Sequence, residues 1–194
     1  MTPFIIALTG PAGCGKDTTA TLLREALQAR GRKVDTMAYA DPIRWMLAAL
    51  GVPPQYMTDR DLKEEPIEAF NGMSYRQMAQ TLGTEWGRAC NGVHFWRRML
   101  QARLEKLREV GKCPDMLIIT DARFANEVDW IRGRGVVVRI DRPNLQAVRD
   151  HVSERVDLLP AADLILHNDS DLVGLRARVA GLSNLILAEK AIAA

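Results

Sequence analysis

Cysteine, histidine, long apolar runs and excess charge of one sign are all in short supply in this chain of 194 residues. Its three cysteines, Cys14, Cys90 and Cys113, are odd in number and form no C-x-x-C pair, which excludes a disulfide framework and a structural zinc site. They read as free thiols in a reducing compartment. The three histidines, His94, His151 and His167, share no ligand spacing, so a catalytic metal held by histidine is not expected. No apolar run approaches the roughly 18 residues that a bilayer span needs, and the N-terminus lacks a basic region leading into a signal-like segment. With 26 basic and 24 acidic residues the formal net charge is only +2. Bulk electrostatics therefore gives no reason to expect a nucleic acid or a membrane as partner. The expectation is a cytoplasmic protein.

Apolar residues, by contrast, make up 47% of the chain, enough for a substantial core in one domain over residues 1–194. Five short apolar runs stand out: Phe4 to Leu8, Val34 to Ala38, Met116 to Thr120, Val136 to Ile140 and Leu164 to Leu166. Their near-continuous apolar character suits strands buried on both faces, and the helical material between them predicts a parallel, doubly wound α/β sheet of five strands. Helices are marked chemically. Asp41 ahead of Pro42 reads as a capping carboxylate before a first-turn proline, and Ser74-x-x-Gln77 has the form of a capping box. Gly133 and Gly135 close a helix over Ala122 to Arg132. Leu172, Leu175, Val179, Leu182 and Ile186 recur at helical spacing and predict a terminal amphipathic helix on the sheet.

Roughly 75 residues separate the second and third strands, far more than a crossover needs. This predicts a helical insert over about 41–112, with a proline-marked loop at Val52 to Arg60 and helical stretches Ser74 to Cys90 and His94 to Val110.

The strongest chemical signal is Gly10-Pro-Ala12-Gly13-Cys14-Gly15-Lys16-Asp17-Thr18, lying between the first apolar run and a helical pattern. Glycines at this spacing let backbone N–H groups wrap a phosphate, the following helix offers its positive end, and Lys16 reaches the β/γ-phosphates of a nucleotide. Asp17 stands where a Ser or Thr hydroxyl usually meets Mg²⁺. Metal ligation from Asp17, Thr18 or Asp121 is then expected to run through water. Cys14, near a helix N-terminus, is placed where a thiolate is favoured, so alkylation should abolish activity and ATP should protect. The alternative is a small buried thiol that reagents cannot reach.

Ligands of open α/β sheets bind outside the carboxyl ends of the strands, which puts Asp121 and Arg123 near the same crevice as the phosphate loop. Asp121 can hold a metal-bound water or accept from a substrate hydroxyl, and Arg123 can neutralise a transferring phosphoryl group. A helix-capping Asp beside a solvated Arg is the alternative. In the insert, Arg76 and Gln80 lie roughly 40° apart on one helix face, suiting a phosphate fork beside an amide that reads a base or sugar edge. Arg88 would lie roughly 120° from Arg76 on an uninterrupted α-helix, and joins them only if Gly83 and Gly87 bend or break it. Arg44 is a candidate for an acceptor phosphate and Asp41 for a sugar hydroxyl, although polar residues on an outer helix face would look the same. The arginine-rich stretch after Arg139, over about 141–158, is placed to close over phosphates as a lid with Arg142 and Arg155. Within it His151 and Glu154 can pair on a helix. Asn168-Asp169-Ser170 reads as a turn capping the terminal helix, with a backbone that can lie against a purine ring.

The phosphate loop, Gln80-Thr-Leu-Gly-Thr-Glu-Trp-Gly-Arg88, Thr120-Asp-Ala-Arg-Phe-Ala-Asn-Glu127 and His151-Val-Ser-Glu154 together resemble the deoxynucleoside monophosphate kinases of tailed bacteriophages. The resemblance covers nearly the whole chain. It implies a P-loop kinase fold, ATP as phosphoryl donor, a deoxynucleoside 5′-monophosphate as acceptor, Mg²⁺, a homodimer among the assemblies open to it, and host cytoplasm if a phage encodes it. It also implies that Lys16 holds transferring phosphates, that Arg76, Arg88 and Arg123 contact substrate or the transition state, and that the stretch after Arg139 is a lid. Ala125 and Arg44 depart from the proline and lysine common in relatives, which leaves the path after Arg123 and the role of Arg44 open. Three rival readings are another small-molecule P-loop kinase, resembling dephospho-coenzyme A kinase, a nucleotide-binding module without kinase activity, and a purely structural α/β domain.

Overall fold

The structure is a computed structural model that describes residues 2–143, 145 and 161–192. Two compact units divide the chain: Met1–Ala38 with Arg103–Ala194, and Tyr39–Ala102. The second unit therefore ends inside a helix, before the expected end of the insert at 112.

The first unit is built on five parallel strands, β1 (Phe4–Thr9), β2 (Val34–Met37), β3 (Met116–Ile119), β4 (Gly135–Asp141) and β5 (Leu164–His167), in the order β2-β3-β1-β4-β5. All five lie on the apolar runs. In β1, Ile5, Ile6, Ala7 and Leu8 are all fully buried, so neither face of the sheet's centre meets water, which is why these segments lack alternation. Helices α1 (Lys16–Gln28) and α7 (Leu172–Ile192) pack together over one face, where Leu23, Leu27, Leu175, Val179, Leu182 and Ile186 meet Ile6, Leu8, Ile118, Val138 and Ile140. Leu172, counted in the apolar stripe from its spacing, is instead exposed at the start of α7. Helix α6 (Ala125–Ile131) packs on β1 and β4. It begins later than the expected Ala122, because Phe124 is extended and the N–H groups of Arg123 and Phe124 are held by other bonds described below.

Register puts every carboxyl end on one edge: Ala7 pairs with Ile119, Thr9 with Arg139, and Asp141 with His167. Gly133 takes a positive φ of 80°, as a helix terminus asks. Gly135 serves a different end, since a side chain there would collide with the backbone of Ile5 across the ladder.

The second unit holds α2 (Asp41–Ala49), the short α3 (Pro54–Thr58) inside the expected proline loop, and α4 (Tyr75–Gln80), which runs into a π-helical segment over Thr81–Cys90. Helix α5 (Phe95–Glu109) starts here. The capping box at α4 forms as expected: Ser74 Oγ accepts from the Gln77 N–H at 3.2 Å, and Gln77 Oε1 accepts from the Ser74 N–H at 2.9 Å. Asp41 does not cap α2. It lies inside the first turn, where its carboxylate pairs with Arg44 at 3.0 Å.

No helix among the described residues is long and apolar enough to cross a membrane.

Candidate active site

The phosphate loop connects β1 to α1. Gly10, Gly13 and Gly15 have φ of 139°, 78° and 100°, a region that side chains rarely tolerate, so the three glycines permit the wrap that turns backbone N–H groups inward. Gly10 is also a close approach: a Cβ there would lie 2.7 Å from the Ile140 carbonyl oxygen and 2.8 Å from Cys14 Sγ. Gly15 is the N-cap of α1, and among the described residues no side chain caps that terminus. Its first-turn N–H groups and the positive end of the helix are those an anion uses.

Lys16 arches across the loop. Its Nζ donates to the carbonyl oxygens of Gly10 at 2.7 Å and Pro11 at 2.8 Å, and lies 3.8 Å from Cys14 Sγ. Burial pushes its pKa down, and Arg123 adds to that effect, while Cys14, Asp17 and Asp121 oppose it. Lys16, Asp17, Asp121 and Arg123 thus share one electrostatic neighbourhood at the carboxyl edge of the sheet. Thr18 lies roughly 200° around α1 from Lys16 and, like Asp17, is exposed.

Cys14 corrects one expectation. The thiol is fully buried against Gly10, and burial raises its pKa more than the nearby Lys16 charge lowers it. A thiolate is disfavoured there, and the inaccessible-thiol alternative is the one the structure supports.

Asp121 follows β3 and does not cap α6. The cap belongs to Glu127, to which the sequence reading assigned no role. Its carboxylate is 3% exposed and accepts from the N–H groups of Arg123 at 2.9 Å and Phe124 at 3.1 Å. Those two bonds set the backbone from which Arg123 projects. The signal was present as a Glu three residues beyond the chain's turn into the helix, the reach-back position of a capping box.

Arg142, at the end of β4, donates from Nη1 to the Gly13 carbonyl at 3.3 Å, so the first of the expected lid arginines touches the phosphate loop. Arg155, His151 and Glu154 lie outside the described residues, as does most of the expected lid. Asn168 is 8% exposed, and its Nδ2 donates to the Cys14 carbonyl at 2.9 Å. The terminal helix is capped instead by Asp171, whose Oδ1 accepts from the Gly174 N–H at 2.8 Å.

In the helical unit, Arg76 pairs through Nε with Glu64, a partner supplied by the turn Leu62–Glu64 that spacing along α4 does not reveal. The change of winding after Gln80 alters the position of Arg88. An α-helix advances about 100° per residue and a π-helix about 82°, so Arg88 returns to within roughly 30° of the azimuth of Arg76. Gly87 acts here by proximity. A Cβ on Gly87 would fall within the indole of Trp96, whose Nε1 donates to the Gly83 carbonyl at 2.7 Å. Phe95 stacks edge-on against Trp96 at 4.8 Å and Trp86 at 5.4 Å between centroids, which stiffens this corner.

Among the described residues no three His, Cys, Asp or Glu side chains converge as a metal cage. Mg²⁺ does not need one: it takes hard oxygen donors and keeps several of its waters. Asp17 and Asp121, both acting on Lys16, fit that outer-sphere part.

The deoxynucleotide monophosphate kinase family matches residues 52–179, about two thirds of the chain. The chain belongs to this family. It is a phosphotransferase, a P-loop kinase of nucleotides or similar small molecules. The matched stretch covers Arg76 to Arg88 and Asp121 to Glu127, while the phosphate loop precedes it and rests on its own geometry. Among solved structures, the one titled APE1195 is similar over 96% of this chain and 96% of its own, at 14% identity and a TM-score of 0.51, a likeness of fold. Shikimate kinase from Bacteroides thetaiotaomicron aligns over 93% of this chain and 97% of its own, at 17% identity and a TM-score of 0.49. No curated protein matches significantly.

Proposed function

We propose that this kinase transfers the γ-phosphate of ATP to a deoxynucleoside 5′-monophosphate, giving the diphosphate and ADP. The observation that carries the reading is a phosphate cradle after β1 with a partly buried lysine arched across it, in a chain whose family is named for deoxynucleotide monophosphates. An acceptor phosphate oxygen attacks the γ-phosphorus in line, the bond from the γ-phosphorus to the bridging oxygen breaks, and ADP leaves with that electron pair. Positioning and electrostatics supply the catalysis, with no covalent enzyme intermediate.

The loop backbone of Gly10, Ala12, Gly13, Cys14 and Gly15 holds the donor phosphates, and Lys16 with Arg123 offsets the charge spread over the transferring group. Asp17 and Asp121 would hold Mg²⁺ through its waters, and the ion would supply further neutralisation of phosphate charge. In the helical unit Arg76 and Arg88 bind the acceptor phosphate and Gln80 its base or sugar edge, while Asp41 orients Arg44 through their ion pair. Arg142 closes over the loop from the end of β4.

The test is a coupled ADP-release assay with Mg·ATP and each of dGMP, dTMP, dCMP, dAMP, GMP and dephospho-coenzyme A, run beside Lys16→Ala. Turnover with one or more deoxynucleotides, lost in the variant, is expected. Turnover with dephospho-coenzyme A alone, or ATP binding with no turnover at all, would overturn the reading in favour of another kinase or of a nucleotide-binding module.

A further inference from the structure

We propose that Asn168 is a positioning residue for the phosphate cradle: its carboxamide fixes the Cys14–Gly15 peptide so that the Gly15 N–H faces the donor phosphates. The inference rests on the ATP-binding reading above and assigns this side chain a part other than touching the base.

A trans peptide points its carbonyl and its N–H in opposite directions, so whatever holds one aims the other. Here Nδ2 of Asn168 holds the Cys14 carbonyl at 2.9 Å. The N–H across that plane belongs to Gly15, which opens α1 in the left-handed conformation. Free rotation of this peptide would exchange an N–H for a carbonyl oxygen in front of a phosphate, turning attraction into repulsion. A second requirement then falls on Gly15. A Cβ there would stand 2.5 Å from Asn168 Nδ2, so the glycine serves the approach of the amide as well as its own φ of 100°.

Asn168 is itself anchored. Its N–H donates to the Asp141 carbonyl at 2.7 Å, continuing the β4–β5 ladder, and Arg178 of α7 both donates to the His167 carbonyl at 2.8 Å and pairs with Asp169. Both chain neighbours of Asn168 are therefore tied to α7. At 8% exposure a buried amide needs its partner, and among side chains of this length only an amide offers a donor of this reach without a charge. Aspartate would be isosteric and would set an oxygen against the Cys14 carbonyl.

The experiment compares wild type, Asn168→Ala and Asn168→Asp by calorimetric titration with ATP and with adenosine, and follows the Gly15 amide and Asn168 side-chain resonances by NMR. Wild type that fails to bind ATP would overturn the ATP reading, whatever the variants do. If wild type binds, the expected result is about a tenfold loss of ATP affinity in Asn168→Ala, a larger loss in Asn168→Asp, and adenosine affinity unchanged. Equal ATP affinity in the variants, or ATP and adenosine weakened by the same factor, would overturn the positioning role. Should neither variant fold, wild type decides by itself under titration with inorganic tripolyphosphate. Joint movement of the Gly15 amide and Asn168 Nδ2 resonances supports the proposal, and movement of Gly15 alone overturns it.

Discussion

The sheet unit and the helical unit hold their polar groups in opposite ways. In the sheet unit the chemistry is held by main chain: three glycines at positive φ, carbonyls bound by Lys16 and Asn168, and two N–H groups held by Glu127. In the helical unit it is held by side chains, with Arg76 on Glu64, Arg44 on Asp41, and a π-winding that Trp96 packs against. A cradle of main chain has few alternative conformations, so it suits a phosphate that every turnover presents alike. Ion pairs on helix faces are remade more readily, so they tolerate more variation in what they meet.

Lys16→Met should show the largest effect, lowering kcat by about two to three orders of magnitude in the ADP-release assay. The variant also reports the cost of burying the ammonium. A lysine whose folded pKa is depressed burdens the native state while it is charged, and the burden lifts as pH rises through the folded pKa toward the ordinary 10.5. Over that window wild type should gain stability relative to Lys16→Met, read as Tm against pH. A constant Tm difference would show that the ammonium is not desolvated.

Gly87→Ala should act next most strongly, through packing. Its Cβ would enter the rigid indole of Trp96, so a loss of about 1–3 kcal/mol is expected in denaturant unfolding. Gly83→Ala meets only the end of the Ile43 side chain at 3.2 Å, and Gly181→Ala in α7 meets nothing within 4 Å. The first should be near neutral, and the second should stabilise by less than about 1 kcal/mol. A reversed order would mean that the glycines of the π-helical segment serve flexibility and not close packing.

If side chains carry the helical unit's chemistry, Arg76→Lys should raise KM for the nucleoside monophosphate about tenfold, because the ammonium loses the planar fork. Glu64→Gln should raise it less, by removing the charge that sets the fork's plane. Unchanged KM in both would move acceptor binding elsewhere. The smallest effect concerns Cys14, which should label with iodoacetamide at pH 8 far more slowly than the exposed Cys90, with or without ATP. Fast labelling that ATP blocks would restore a reactive thiolate in the loop.

Particular residues show what could be read in advance. The five strands were legible because a two-sided parallel sheet demands unbroken apolar runs, and the phosphate loop because its backbone needs glycine at set intervals. The capping box at Ser74 and Gln77 was legible for the same reason, since donor and acceptor lie within one turn. Glu64, Glu127 and Asn168 were not assigned their parts. Glu64 lies twelve residues from Arg76 and Asn168 lies 154 from Cys14, separations over which no local pattern speaks. The azimuth of Arg88 depended on whether the helix breaks after Gln80, and the change to π-winding there is a break that spacing alone does not reveal.

Local chemistry along the chain thus sufficed for the strands, the glycine loop and its lysine, each of which answers to its own neighbours in sequence. Folding alone determined which groups are buried and which carbonyl faces which amide. That is why Cys14 is a buried thiol with a raised pKa where its place at a helix N-terminus suggested a reactive one. It is also why Asn168, apparently a capping residue, came to brace the phosphate loop: burial and long-range pairing depend on where the sheet sets distant segments side by side, and desolvation then outweighs the local field.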